Sequence, residues 1–237
     1  MTKIKFKNTI LYEDDNYIVI NKPPFISSLE DRSSPINILS LARSYDDQVH
    51  LCHRLDKETS GCLIIARNEE VYRHTSLQFQ ERKVNKRYQA LVEGVHDFKE
   101  SSVNVPIYYR SGGDARIDFR QGKPAQTYFN TLKAYRNYTH VEANPVTGRL
   151  HQIRVHLAHI RAPIVGDLNY GGRQFYLSSI KHKYKTGKWE DEQPLIKRFA
   201  LHASAITFQS ISSKKIEVSA PFPKDFGALI RQLEKYG

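Results

Sequence analysis

Cysteine is scarce in this chain. Its 237 residues include two, Cys52 and Cys62, and no CxxC pair. That argues against a disulfide framework and against a zinc–thiolate site. No run of about 18 apolar residues occurs, so no membrane span is expected. Met1 to Lys7 alternates lysine with Ile and Phe and lacks the continuous apolar stretch of a signal peptide. A reducing cytoplasm is the expected compartment. Gly-rich phosphate loops, dinucleotide fingerprints and a Gly-x-Ser-x-Gly elbow are missing too, and Tyr170-Gly171-Gly172 reads as a turn. Nothing points to ATP, a nicotinamide or a flavin. Internal repeats, low-complexity tracts and long linkers are absent as well.

What the chain does have is positive charge. The net charge is +11, with 40% hydrophobic and 26% charged residues and 14 Tyr. This balance fits a globular protein with a polyanionic partner, nucleic acid being the commonest. The tyrosines offer stacking surfaces for unpaired bases.

The order of elements predicts an α+β fold with a largely antiparallel sheet. Ile10–Glu13 and Tyr17–Asn21 read as a hairpin ended by Lys22-Pro23-Pro24. Ser34 and Pro35 suit the start of a helix reaching Tyr45. Asn68 suits the cap of a helix to about Glu81. Strands are expected at Cys62–Ala66, Lys86–Glu93, Ala115–Arg120, Ala125–Ala134, Thr139–Ala143, Phe199–Phe208 and Lys215–Ala220. Helical spacing covers Leu150 to about Ala162 and a closing segment from Asp225. Residues 173–198 are polar and basic and read as a surface insertion. One catalytic domain over 1–237 is expected, with a core over about 10–223 and a C-terminal helix over 225–236.

Two segments concentrate chemistry. The first is His53-Arg54-Leu55-Asp56-Lys57-Glu58-Thr59-Ser60-Gly61, directly before an apolar strand. A carboxylate on a loop feeding a core strand is held rigidly, as a nucleophile or acid–base group must be. Taken alone, Asp56 reads better as a turn cap. The second is Thr147-Gly148-Arg149-Leu150-His151-Gln152-Ile153-Arg154-Val155-His156. Arg149 and Arg154 suit phosphates, or one of them a carboxylate. His156 and His159 at i, i+3 invite a metal, but no nearby carboxylate completes a ligand set. Tyr88, between cationic residues on its strand, fits either core or a stacking platform.

Taken together, these segments resemble the RluA-type pseudouridine synthases over nearly the whole chain. Ile10 to Pro24 is similar to that family's strand–turn–strand ending in Lys-Pro. His53 to Arg67 resembles its His-Arg-Leu-Asp-x-x-Thr-Ser-Gly motif, and Phe79, Arg82, Val84, Lys86, Tyr88 and Ala90 fall in its next segment. Pro145 to Gly171 resembles Thr-Gly-Arg-x-His-Gln-Ile-Arg-x-His with its trailing Gly-Asp-x-x-Tyr-Gly. Ala200-Leu201-His202-Ala203 and Ala220-Pro221-Phe222-Pro223 resemble the closing hairpin.

The resemblance implies isomerisation of a flipped-out uridine in rRNA or tRNA, cut from ribose at N1 and rejoined through C5. It implies an essential Asp56. Arg54 helps hold the nucleotide out of the stack, Tyr88 stacks on the uracil, and Arg154 pairs with Asp56. Ile153 lines an apolar pocket, and His53, Lys86 and Arg149 join the RNA-contacting set. No metal or cofactor is expected, and a monomer is.

The sequence departs from the family in two places. Its core is expected to begin by about Ile10, so the extra N-terminal RNA-binding domain of many relatives is not expected here. Target selection is then expected to rest on the core and the basic stretch 173–198. After Lys22-Pro23 the family often shows Gly and then His-Pro, whereas this chain reads Pro24-Phe25-Ile26-Ser27-Ser28. Two competitors remain at this point: a non-catalytic RNA-binding or ribosome-assembly protein on the same scaffold, and a metal-dependent hydrolase built from His53, Asp56, His151 and His156.

Overall fold

The structure is a computed structural model and describes residues 4–30, 36–109, 113–182, 184 and 191–237. The elements run β1 (Ile10–Glu13), β2 (Tyr17–Lys22), α1 (Ile38–Arg43), β3 (His50–Leu51), β4 (Ser60–Ala66), α2 (Glu69–Gln80), β5 (Asn85–Glu93), β6 (Ser101–Asn104), β7 (Ile107–Tyr109), β8 (Ala115–Ile117), β9 (Gln126–Ala134), β10 (Tyr138–Pro145), α3 (Gln152–His159), β11 (Leu201–Gln209), β12 (Lys215–Ser219) and α4 (Lys224–Tyr236). The chain forms two compact units. The first holds Met1–Arg87 and His202–Pro221, the second Tyr88–Leu201 and Phe222–Gly237.

In the first unit β2 lies between β1 and β4, and β4 also pairs with β3 and β11, while β12 borders β11. All these pairings are antiparallel except β4 with β11, which runs parallel. β4 is buried along its whole length, and of β2 only Asn21 is not. Continuous apolar runs of this kind mark strands covered on both faces. At Gly61 φ is +116°, and a Cβ there would stand 2.1 Å from the Ala203 carbonyl oxygen. Only glycine lets β4 and β11 approach so closely. α2 begins where the Asn68 side chain accepts from the Val71 N–H, with Glu69 and Glu70 in its first turn. Gln78 joins it to β11, donating to Gln209 O at 2.8 Å and accepting from Gln209 N at 2.9 Å. Cys52 and Cys62 are free thiols in this unit's core, both pushed up to about 12 by burial.

In the second unit β10 pairs antiparallel with β5 and β9, β9 with β6, and β7 with β8. The core gathers Leu91, Phe129, Val141, Leu157 and Phe199 with Phe226, Leu229, Ile230 and Leu233 of α4.

The α+β, mostly antiparallel reading is what the structure has. The differences are local. α1 starts at Ile38, because Asn37 and Ser40 form a capping box; Ser34 and Pro35 lie outside the described residues. The strand expected to reach Arg120 stops at Ile117, where the Asp118 carboxylate accepts from the N–H groups of Arg120 and Gln121. α3 covers Gln152–His159 rather than 150–162, since His151 (φ +52°) and Arg161 (φ +59°) leave the helical region. Stretch 173–198 is rooted in the core by Phe175 and Ile196, and Arg198 is buried in a fork with Asp225 at 2.7 and 3.1 Å. Lys183, Lys185 and Lys188 lie outside the described residues.

Candidate active site

Asp56 sits between β3 and β4, half-buried, and opens a tight turn in which its carbonyl accepts from Thr59 N at 3.1 Å. The backbone beside it is fixed from two sides. Ser28 Oγ donates to Leu55 O at 2.8 Å and accepts from Leu55 N at 3.0 Å. Lys22, fully buried at the end of β2, sends Nζ to the carbonyls of Pro23, Ile26 and Lys57 at 3.0, 2.9 and 3.1 Å. An ammonium has three donors, and three carbonyls stand within hydrogen-bond distance of it. The apolar side chains of Leu55 and β4 are buried, so the turn is anchored at both ends while Asp56 keeps access to solvent.

Where the turn closes, Ser60 Oγ meets His202 Nδ1 at 2.9 Å, and His202 Nε2 reaches Ala220 O at 3.1 Å. The carbonyl accepts, so Nε2 carries the proton and Nδ1 accepts from the serine; this tautomer is inferred from the partners.

Arg54 is exposed. His53 is not a cation: burial, aided by the Lys86 charge, lowers it to about 3. Its Nε2 accepts from the Ile64 N–H of β4 at 3.0 Å, and its ring lies 4.8 Å from Phe79. Lys86 is pulled down to about 8 by burial.

In the second unit Tyr88 lies on β5 opposite Ala143 of β10 and packs partly buried against the core. Arg154 of α3 is buried. Asp167 grips it with two parallel bonds, Nε to Oδ2 at 2.6 Å and Nη2 to Oδ1 at 2.8 Å. The rings of Phe199 and Tyr170 flank the guanidinium at 4.2 and 4.7 Å. A planar cation between aromatic rings, with a bidentate carboxylate at its edge, is held in one orientation. Tyr170 is fixed in turn, its hydroxyl accepting from Ala115 N at 3.1 Å and meeting His151 Nδ1 at 2.8 Å.

The turn before α3 is set by Gln152, whose Oε1 accepts from Thr147 Oγ1 and Arg149 N and whose Nε2 donates to Gln126 O and Thr127 Oγ1. Arg149 itself donates to Pro124 O. Ile153 is buried in the core. Both ring nitrogens of His156 are used within the fold, by Thr127 Oγ1 at 2.9 Å and Val105 O at 3.2 Å. Burial holds this imidazole down to about 4. Among the described residues no group of three or more His, Cys, Asp or Glu side chains is placed to hold a metal ion. No helix of the described residues is long and apolar enough to cross a membrane.

A family model described as RNA pseudouridylate synthase matches residues 16–159, which take in both segments. The chain belongs to the RNA pseudouridylate synthase family. Its reaction is therefore an isomerase's, acting on uridine in RNA. This pseudouridine synthase is 37% identical over 240 residues to ribosomal large subunit pseudouridine synthase C of Buchnera aphidicola subsp. Baizongia pistaciae, across 97% of this chain and 72% of that protein. It is 32% identical over 234 residues to ribosomal large subunit pseudouridine synthase D of Haemophilus ducreyi, across 95% and 70%. Human RNA pseudouridylate synthase domain containing 4 shares the fold, with a TM-score of 0.72 at 24% identity over 97% of this chain and 94% of that one. Human RNA pseudouridylate synthase domain containing 1 superposes with a TM-score of 0.69 at 26% identity over 94% and 87%.

Sequence reasoning missed the supporting residues. Lys22 was visible only as the end of a strand, and Ser28 as loop. Asp167 and Tyr170 stood in the Gly-Asp-x-x-Tyr-Gly segment with no role attached. Phe199 and Thr127 gave no local signal, because their partners lie far off in the chain.

Proposed function

We propose that this pseudouridine synthase acts on ribosomal RNA of the large subunit, a reading supported by its likeness to bacterial ribosomal large subunit pseudouridine synthases, with tRNA as the alternative target. Asp56 is the indispensable carboxylate, Tyr88 the aromatic that stacks on the uracil, and Arg154 the cation. Arg54, Lys86, Arg149, Ile153 and His53 serve RNA binding, His53 by holding its loop. The bond from ribose C1′ to uracil N1 breaks and one from C1′ to C5 forms. C5 loses its proton and N1 gains one, so no oxidant or reductant is needed. The chain works without metal or cofactor, as a monomer in the cytoplasm, with 1–237 acting as one catalytic domain.

A uridine inside a helix cannot reach a side chain, so it must be flipped out at a cost of a few kcal/mol. Contacts from a chain of net charge +11 to phosphates offset that cost. The observation that carries this reading is the Asp56 turn: a half-exposed carboxylate whose neighbouring backbone is fixed by Ser28, Lys22 and Thr59.

Replacing Asp56 with Asn tests it. Turnover is expected to vanish while RNA affinity stays near wild type; an active Asp56→Asn variant overturns the assignment. Mapping pseudouridine at single-nucleotide resolution in RNA from cells with and without the protein identifies the target, and an unchanged large-subunit rRNA overturns that choice.

A further inference from the structure

Phe25 is an oddity of the first unit. Its φ is +65°, a backbone conformation that side chains other than glycine rarely adopt. It is nonetheless a large aromatic residue, and 49% of its surface is exposed. Neither the strain nor the exposure serves packing. Strained backbone persists only where its surroundings over-determine it, and such places cluster at functional sites.

Here the surroundings are on view. The buried Lys22 ammonium binds the carbonyls of Pro23 and Ile26, on either side of Phe25, and also that of Lys57, the residue after Asp56. Further along the same loop, Ser27 O and Ser28 O accept from Ile38 N and Leu39 N at the start of α1, while Ser28 Oγ grips Leu55. One set of bonds therefore fixes both the backbone that carries Phe25 and the turn carrying Asp56. The exposed side chains flanking Leu55-Asp56 are Arg54 and Lys57, both cations. An exposed aromatic ring on a loop tied to a turn that carries two exposed cations suits a nucleobase with its phosphates.

We propose that Phe25 contacts the RNA substrate, stacking on a base near the reacting uridine and helping to set which RNA is accepted. This rests on the RNA reading given above.

Steady-state tritium release tests it, using RNA from cells lacking this protein labelled at uridine C5. Phe25→Gly removes the ring and suits the positive φ, so it should melt no lower than wild type. Phe25→Leu keeps bulk without a flat face. Both should raise KM for RNA roughly 5- to 150-fold, the range set by losing one base–aromatic stack, with kcat little changed. Phe25→Tyr should restore KM. An unchanged KM in Phe25→Gly and Phe25→Leu, a fall confined to kcat, or no recovery with Tyr each overturns the contact. A wild-type protein that releases no tritium from any RNA sinks the functional reading instead. Fluorescence anisotropy with the same RNA then decides the Phe25 contact alone, and equal affinities for wild type, Phe25→Gly and Phe25→Leu reject it.

Discussion

Arg154 and Asp167 are both buried, with side-chain exposures of 5% and 1%. Taking two ions out of water costs several kcal/mol each, and the pair recovers this only through close geometry. The parallel bonds and the flanking rings of Phe199 and Tyr170 supply that geometry. Arg154→Met strands the carboxylate, and we expect a loss of about 3–5 kcal/mol in urea unfolding. Arg154→Met combined with Asp167→Leu should regain most of it, because an apolar pair of similar volume is tolerated where half an ion pair is not. A double variant no more stable than the single one would refute this account. The motif contained both Arg154 and Asp167 but not their pairing, since a carboxylate 13 residues on carries no local mark of its partner. Lys22 illustrates the same limit: Lys57, whose carbonyl it takes, is 35 residues away.

Strand β4 shows what an element can and cannot disclose in advance. Its apolar run and the turn before it were readable, because both follow from side-chain pattern and turn chemistry. Its parallel partner β11 was not, since pairing across about 140 residues leaves no periodicity in either strand. β3, β6 and β7, of two to four residues each, fall below any pattern length. The described part of α1 starts at Ile38, where Asn37 and Ser40 form a capping box. Within β4, Gly61→Ala places a methyl group against Ala203 O and forces a non-glycine into φ +116°. We expect it to cost more than about 3 kcal/mol or to prevent folding, judged by thermal melting. Ser60→Ala, one residue earlier, loses its bond to His202 and should cost about 1 kcal/mol. Equal melting temperatures for the two variants would contradict the close-approach argument.

Across the whole molecule, stability should fall with acid in a window set by buried histidines. His140 and His156 are held neutral by burial and titrate near 4 in the folded chain against about 6.5 when unfolded. Below pH 6.5 the unfolded chain binds protons that the folded chain refuses, so stability declines from about pH 6.5; the share of these two sites levels off below about pH 4, while that of His53, held near 3, runs on to about pH 3. Each site contributes up to about 3 kcal/mol by the end of that window. His140 is the cleaner probe, since its buried Nε2 finds no hydrogen-bond partner among the described residues and its ring lies 6.3 and 6.2 Å from Phe222 and Phe226. His140→Leu should flatten the melting-temperature profile between pH 6.5 and 4, and an unaltered slope would rule His140 out.

Chain order carries one more consequence at this scale. The first unit takes its β11 and β12 from His202–Pro221, and the second takes α4 from Phe222–Gly237. A growing polypeptide reaches residue 87 with the buried strand β4 made and its parallel neighbour still unsynthesised. That flank stays bare while 114 further residues are added (88 through 201); the first core cannot close before 202–221 are made, nor the second before 222–237 are. Assembly is therefore a late, nearly simultaneous event, and nascent chains cut short before β11 would be prone to stick to one another along an uncapped strand.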